Sequence, residues 1–94
     1  MVKETNRGLN EKLMELGYED VVIFDNPSYE DAFIGISEDN RAVYDYDKMA
    51  ECLVNEDDMT LEDAQEFIDY NTIRSLAYIG NAPIVVYPID KEVN

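Results

Sequence analysis

The feature that most constrains how this chain folds is a change of phase in its apolar residues between Leu61 and Ile79. In the first part, apolar residues recur with the spacing of one helix face, at Leu61, Ala64, Phe67 and Ile68. Continuing that phase places polar residues inward at positions 71, 72 and 75, whereas the next apolar residues fall at 73, 76, 77 and 79. A single straight helix cannot bury both sets on one face. The pattern therefore predicts a break or bend between Tyr70 and Ile73.

The residues at this change of phase are suited to ending one helix and starting another. Asn71 tolerates the left-handed conformation and is predicted to end the first helix. Thr72 is predicted to cap a short second helix over residues 73–78. Arg74 then lies in the first turn, where the helix dipole disfavours a cation. We therefore expect Arg74 to be a structural tie to a nearby carboxylate, for instance that of Asp45, Asp47 or Asp69.

The earlier helices have recognisable ends. Residues 5–16 are predicted to form a helix with Leu9, Leu13 and Leu16 on its inner face, ended by Gly17. A second helix is predicted over residues 47–55, with Asp47 as its N-cap or first-turn acid. Thr60 is predicted to cap the next helix, together with Asp63 three residues later.

Strands are predicted at residues 21–24, 32–37, 41–46 and 83–87. The second and third form a hairpin around the polar loop 38–40, and Gly35 suggests a bulge or a closely packed helix. Pro88 cannot donate to a ladder, so the last strand is expected to end there or to lie at an edge.

Together these elements predict an α+β fold and a single domain over residues 1–94. We expect a small, mostly antiparallel sheet of three or four strands, covered on one face by two or three helices. A chain this short buries about 60–65% of its unfolded surface, so we expect modest stability or help from self-association as a homodimer.

The charge of the chain is strongly negative. Twenty-two Asp and Glu residues oppose seven Lys and Arg residues, which gives a net charge of −15 without any His. Such a field repels nucleic acid phosphates and anionic membranes and attracts basic partners. We therefore expect a protein partner with a basic surface, and no direct binding to nucleic acid or to membranes. The alternative is that the charge serves solubility alone.

The sequence lacks the residues that several kinds of catalytic and binding site require. Without His there is no Ser-His or Cys-His nucleophile, and the lone Cys52 can form neither an intrachain disulfide nor a zinc site with Cys ligands. The four glycines stand singly, so no phosphate-binding loop is present. We expect no catalysis and no cofactor. The lone Cys and the absence of a signal-like or membrane-spanning apolar run favour the cytoplasm.

Part of the chain resembles a known group of proteins. The segments are Tyr44-Asp45-Tyr46-Asp47, Glu66-Phe67-Ile68 followed by Tyr70-Asn71-Thr72-Ile73-Arg74, and residues 83–88. They are similar to small acidic proteins of Firmicutes and their phages or mobile elements. The resemblance carries no catalytic residues, but it implies a setting in which small acidic proteins often inhibit host defences or mimic DNA.

Three hypotheses for function remain open. The first is a non-enzymatic protein that binds a basic protein surface, in its sharpest form by mimicking nucleic acid. Its candidate contact residues lie on the helix after Thr60: Glu62, Asp63, Glu66 and Asp69. The second is a divalent-metal-binding or hydrolytic protein that uses carboxylates, namely Asp45 and Asp47 with Glu56, Asp57 and Asp58. The third is a fold whose charge has no specific role.

The charge balance predicts how stability depends on salt. Because crowded carboxylates repel one another and dissolved ions screen that repulsion, the melting temperature at neutral pH should rise from low to moderate NaCl. Thermal unfolding followed by circular dichroism measures this. An unchanged melting temperature would mean that the carboxylates are too dispersed, or too well paired, to repel.

Overall fold

The computed structural model describes residues 5–25 and 27–89, so residues 1–4 and 90–94 of the predicted domain lie outside the described residues. The described residues confirm the α+β fold. The helices are α1 (Thr5–Glu15), α2 (Tyr46–Asp57) and α3 (Leu61–Phe67), and the strands are β1 (Phe33–Ile36), β2 (Ala42–Asp45) and β3 (Ile84–Val86). In this part of the chain, no helix has the length and apolar composition needed to cross a bilayer.

The three strands form one mixed sheet in the order β1-β2-β3. Strands β1 and β2 form the predicted antiparallel hairpin, and its register is irregular between Phe33 and Gly35, where the sequence suggests a bulge. Strand β3 is an edge strand, as Pro88 suggests, and it runs parallel to β2 with Tyr44 opposite Val85. The parallel pairing arises because α2 and α3 return the chain to the start of the sheet before β3 begins.

The predicted strand at residues 21–24 is wrong. These residues are not part of the sheet, although Val21, Ile23 and Phe24 pack against the core. The backbone N–H of Phe24 donates to the hydroxyl of Tyr44 at 3.2 Å. Here the apolar residues are used for packing, and a side chain on β2 takes the hydrogen bond that a neighbouring strand would otherwise accept.

Helix α1 ends as predicted at Gly17, which adopts φ 92°. The N–H of Tyr18 donates to the carbonyl of Leu13 at 2.8 Å and the N–H of Gly17 donates to that of Met14 at 3.1 Å, which is the Schellman pattern. The predicted inner face is only partly correct, because Leu13 is buried whereas Leu16 is 65% exposed.

In α2, Asp47 takes the second of its two predicted places, in the first turn, and the cap of α3 agrees with the prediction. Asp45, the last residue of β2, accepts from the N–H of Lys48 at 3.0 Å, so it is the N-cap of α2 and Asp47 lies in the first turn. The helix thus begins directly from the strand. Thr60 accepts from the N–H of Asp63 at 3.1 Å and caps α3.

The core lies between the buried face of β2 and the helices. Ala42 and Tyr44 are fully buried, whereas Val43 and Asp45 on the other face are only partly buried. The buried residues of the helices and the first 3₁₀ turn (Glu30–Ala32) join them: Ala32, Met49, Ala50, Cys52, Leu53, Ala64 and Ile68. Leu61, predicted to be buried, is instead 55% exposed. The inner face of α3 therefore begins at Ala64, one turn after the cap.

The Thr60 cap is expected to contribute measurably to stability. Replacing Thr60 by Ala leaves the N–H of Asp63 without its acceptor, which should lower the free energy of unfolding by about 1 kcal/mol. The matched control is Thr60→Ser, which keeps the hydroxyl and should recover most of the loss. Urea denaturation measures both variants, and equal loss in the two would show that the methyl group, rather than the cap, matters.

Candidate functional site

Where the sequence predicts a break or bend, the helix that starts at Leu61 loses its regular α-helical winding, but the chain does not leave the helix. Instead, Ile68–Ile73 is wound as a π-helix, and a 3₁₀ turn at Leu76–Tyr78 ends the run. A π-helical turn contains more residues than an α-helical turn, so each residue advances less around the axis. The slower rotation brings Ile73 toward the core while Thr72 stays buried. The change of phase is therefore absorbed by the winding of one continuous helix.

The two polar residues at this point have roles other than those predicted. Asn71 does not adopt the left-handed conformation and does not end the helix; its amide donates to the carbonyl of Phe67 at 3.2 Å. Thr72 caps no helix, because it lies inside the π-helical segment. Its hydroxyl is 2.9 Å from that of Tyr29, and this buried pair forms a hydrogen bond. A polar residue is thus tolerated on the inner face because the core supplies a polar partner.

Tyr29 has a strained backbone. It is 2% exposed and adopts φ 50° and ψ 35°, in the left-handed region. This conformation costs a bulky residue about 1–2 kcal/mol, so surrounding contacts must hold it. Those contacts are the Thr72 hydroxyl and the ring of Phe24, whose centroid lies 5.4 Å away in an edge-to-face arrangement. Sequence reasoning missed Tyr29, because an aromatic residue gives no signal of a left-handed position.

Arg74 does not form the predicted tie to a carboxylate among the described residues. Its guanidinium lies over the ring of Tyr70, 5.9 Å from the centroid, and both side chains are exposed. Among the described residues, the ion pair within 4.0 Å joins Arg41 to Asp39, and Arg74 forms none. The predicted carboxylate partner is therefore replaced by an aromatic ring on the preceding helical turn.

A surface cleft lies where the loop before Tyr29 meets the π-helical segment. It encloses about 140 Å³. We call it the Tyr29 cleft, and its walls are Phe24, Asp25, Pro27, Tyr29, Phe67, Asn71, Thr72 and Ser75. Three aromatic rings form the apolar part, and the exposed Asp25 supplies a carboxylate. The cleft thus combines aromatic and polar walls with one negative charge.

The four acidic residues predicted to contact a partner are all exposed on the same helical run. We call them the acidic ridge: Glu62, Asp63, Glu66 and Asp69. With the helical rotation of about 100° per residue, Glu62, Glu66 and Asp69 project from one side and Asp63 lies at its border. No Lys or Arg occurs between residues 49 and 73, so the ridge has no cation within this stretch.

One end of the ridge is fixed by aromatic residues. The hydroxyl of Tyr46 donates to Oδ1 of Asp69 at 3.1 Å, and the rings of Tyr46 and Tyr87 stack with centroids 4.6 Å apart. Burial, followed by the hydrogen bond to Asp69 and its charge, raises the pKa of Tyr46 to about 12. Tyr46 therefore remains a hydrogen-bond donor at neutral pH. Tyr87 is 57% exposed and offers a free ring face beside the ridge.

The metal hypothesis based on Asp45 and Asp47 with residues 56–58 is not supported by the geometry. The two groups lie at opposite ends of α2, about 15 Å apart along its axis. Within the described residues, the acids are brought instead into a group of Asp31, Cys52 and Glu56, with possible ligand atoms within 4.8 Å of one another. Burial, with Glu56 and Asp31, raises the pKa of the Cys52 thiol to about 11, so at neutral pH Cys52 is a neutral buried thiol in this group.

No protein-family model, curated protein or solved structure matches this chain. The resemblance to small acidic proteins of Firmicutes and their mobile elements therefore stays a prediction, and the candidate sites are defined by geometry alone.

The contributions of the Tyr29 and Thr72 hydroxyls to stability are expected to be strongly coupled. Thr72→Val keeps the shape of the side chain but leaves the buried Tyr29 hydroxyl without its partner, which should lower the free energy of unfolding by about 1–3 kcal/mol. Tyr29→Phe should have a similar effect on Thr72. The double variant removes both hydroxyls and should be less destabilised than the sum of the single variants. Urea denaturation gives the free energy of unfolding of the wild type, the two single variants and the double variant. If the losses of the single variants simply add up in the double variant, the two hydroxyls do not depend on each other.

Proposed function

We propose that this protein acts without catalysis, by binding a protein partner with a basic surface through the acidic ridge. The observation that carries the proposal is the exposure of Glu62, Asp63, Glu66 and Asp69 along one helical run in a stretch without cations. Exposed carboxylates that form no ion pair within 4.0 Å among the described residues attract a basic surface from a distance and orient it on approach. The neighbouring Tyr87 ring adds a residue type that is enriched at protein interfaces.

Part of the ridge also has a role in stability. Glu62 and Asp63 lie in the first turn of α3, where negative charge interacts favourably with the helix dipole. Asp69 accepts from Tyr46. No such role is visible for Glu66, which is exposed in the interior of the continuous helical run. Glu66 is therefore the ridge residue whose charge is best explained by a partner.

The spacing of the ridge supports nucleic acid mimicry as the specific form of this binding. Residues 62–69 span about 10 Å along the helix axis at about 1.5 Å per residue. One DNA strand carries a phosphate about every 3.4 Å, which places about three phosphates in the same length. Four carboxylates over this distance resemble a short run of one strand. We propose that the basic surface of the partner is a nucleic-acid-binding groove.

The proposal is tested with two variants of equal charge. The ridge variant carries Glu62→Gln, Asp63→Asn, Glu66→Gln and Asp69→Asn. The control variant carries Glu15→Gln, Glu19→Gln, Asp20→Asn and Glu38→Gln, all exposed and outside the ridge. Each removes four negative charges, and circular dichroism verifies the fold. Because exposed ion pairs contribute about 0.2–1 kcal/mol each, the ridge variant should bind a nona-arginine peptide about tenfold more weakly, and the control about twofold or less.

Isothermal titration at low and moderate salt measures these affinities. Equal weakening in the two variants would show that net charge alone attracts the peptide, and would contradict a defined binding surface. For a partner purified with the protein, duplex DNA should displace it if the ridge occupies its nucleic-acid-binding groove. A complex that forms on the ridge but resists excess DNA would contradict mimicry and leave protein binding intact.

A further inference from the structure

The Tyr29 cleft has the size of one side chain. Its volume of about 140 Å³ is well below the roughly 300–1,000 Å³ of pockets for drug-sized ligands. It is close to the roughly 150 Å³ of an apolar cavity that holds benzene. Because the cleft is open at the protein surface, the group that enters it can belong to a larger molecule. The volume therefore fits one inserted side chain of a protein partner.

The chemistry of the walls selects the kind of side chain. The half-buried rings of Phe24 and Phe67 offer apolar surface and the exposed carboxylate of Asp25 supplies a negative charge, whereas Tyr29 lines the cleft but is itself buried. A planar cation satisfies both, because a guanidinium stacks on aromatic faces and pairs with a carboxylate through two parallel hydrogen bonds. The net charge of −15 also favours a cationic group. The same helical run already holds one guanidinium against a ring, that of Arg74 over Tyr70.

The backbone around the cleft supports a binding role. Tyr29 is held in a left-handed conformation that is costly for a bulky residue, and the opposite wall is a π-helical segment. Strained residues cluster at ligand-binding sites, and π-helical turns occur frequently at functional sites. Here the two irregular segments meet through the hydrogen bond between Tyr29 and Thr72, which holds the Tyr29 and Thr72 positions of the two walls together.

We propose that the Tyr29 cleft binds one arginine side chain of the basic partner, with the guanidinium between the aromatic wall and Asp25. The inference rests on the proposed function, since it names the residue that the partner inserts beside the acidic ridge. Phe67 and Asn71 line the cleft on the helical run that carries Glu66 and Asp69, but they project from a different side of it, so a basic segment has to pass around the helix to reach both. The ridge then attracts the segment, and the cleft selects a residue within it.

The test uses single amino acids, so that the ridge contributes little. N-acetyl-arginine amide is titrated into ¹⁵N-labelled protein, and amide shifts are followed over residues 67–75. N-acetyl-citrulline amide has nearly the same shape without the charge and should bind at least about fivefold more weakly. N-acetyl-lysine amide should also bind more weakly, because an ammonium lacks the planar fork. Equal affinity for arginine and citrulline, or shifts confined to other residues, would overturn the proposal.

Variants separate this inference from the proposed function. Asp25→Asn should weaken arginine amide binding about fivefold, whereas Asp20→Asn, which changes an exposed acid outside the cleft, should leave it unchanged. The ridge variant should lose affinity for nona-arginine yet keep its affinity for arginine amide. Loss of arginine amide binding in the ridge variant, with retention in Asp25→Asn, would place the arginine on the ridge and overturn the assignment to the cleft.

Discussion

The hydrogen bond between Tyr29 and Thr72 joins the two irregular parts of this fold. One partner lies at a left-handed position before the sheet begins, and the other lies in a π-helical segment after α3. Burying either hydroxyl alone would be costly, so each position is acceptable only because the other is present. The pair also holds Phe24 near Tyr44, since the ring of Phe24 contacts both tyrosines. Loop, helix and sheet thus meet around one polar contact.

The excess of Asp and Glu determines the character of the surface, whereas the hydrogen bond between Tyr29 and Thr72 organises the interior. With few cations available, the carboxylates of the ridge remain in water and are balanced only by local effects, such as the dipole of α3 and the hydroxyl of Tyr46. Glu30 is a carboxylate with only one of its two oxygens satisfied. Its Oε2 accepts from the N–H of Leu9, but its Oε1 is buried without a partner among the described residues, and burial raises its pKa. The fold therefore tolerates acid best at exposed helical positions.

The sequence predicts the local structure well where a single residue determines it. Gly17 ends α1, Thr60 caps α3 and Gly35 coincides with an irregular register, because each depends on the chemistry of that position. The prediction fails where a contact with a residue distant in the sequence determines the local structure. Residues 21–24 have the composition of a strand, yet the hydroxyl of Tyr44 accepts the hydrogen bond from Phe24. Asn71 and Thr72 have the chemistry of helix ends, yet a buried tyrosine keeps Thr72 inside one continuous helix.

The two candidate sites differ in the same way: one follows from local sequence and the other depends on contacts between distant residues. The exposure of the acidic ridge follows from its place on a capped, amphipathic helix, so its four residues could be named from the sequence. The Tyr29 cleft could not, because it requires a left-handed aromatic residue and a change in helical winding, neither of which has a sequence signal. The change of phase after Leu61 did indicate that something unusual happens there, but not what.

The two sites are linked by the winding of the helix that carries them. Phe67 and Asn71 face the cleft, while Glu66 and Asp69 belong to the ridge, and all four lie within the turns where α3 passes into the π-helical segment. A tighter winding there would rotate Ile73 away from the core and change the angle between the cleft and the ridge. The hydrogen bond between Tyr29 and Thr72 opposes that change. The contact that satisfies two buried hydroxyls therefore also helps to hold the relative orientation of the ridge and the cleft.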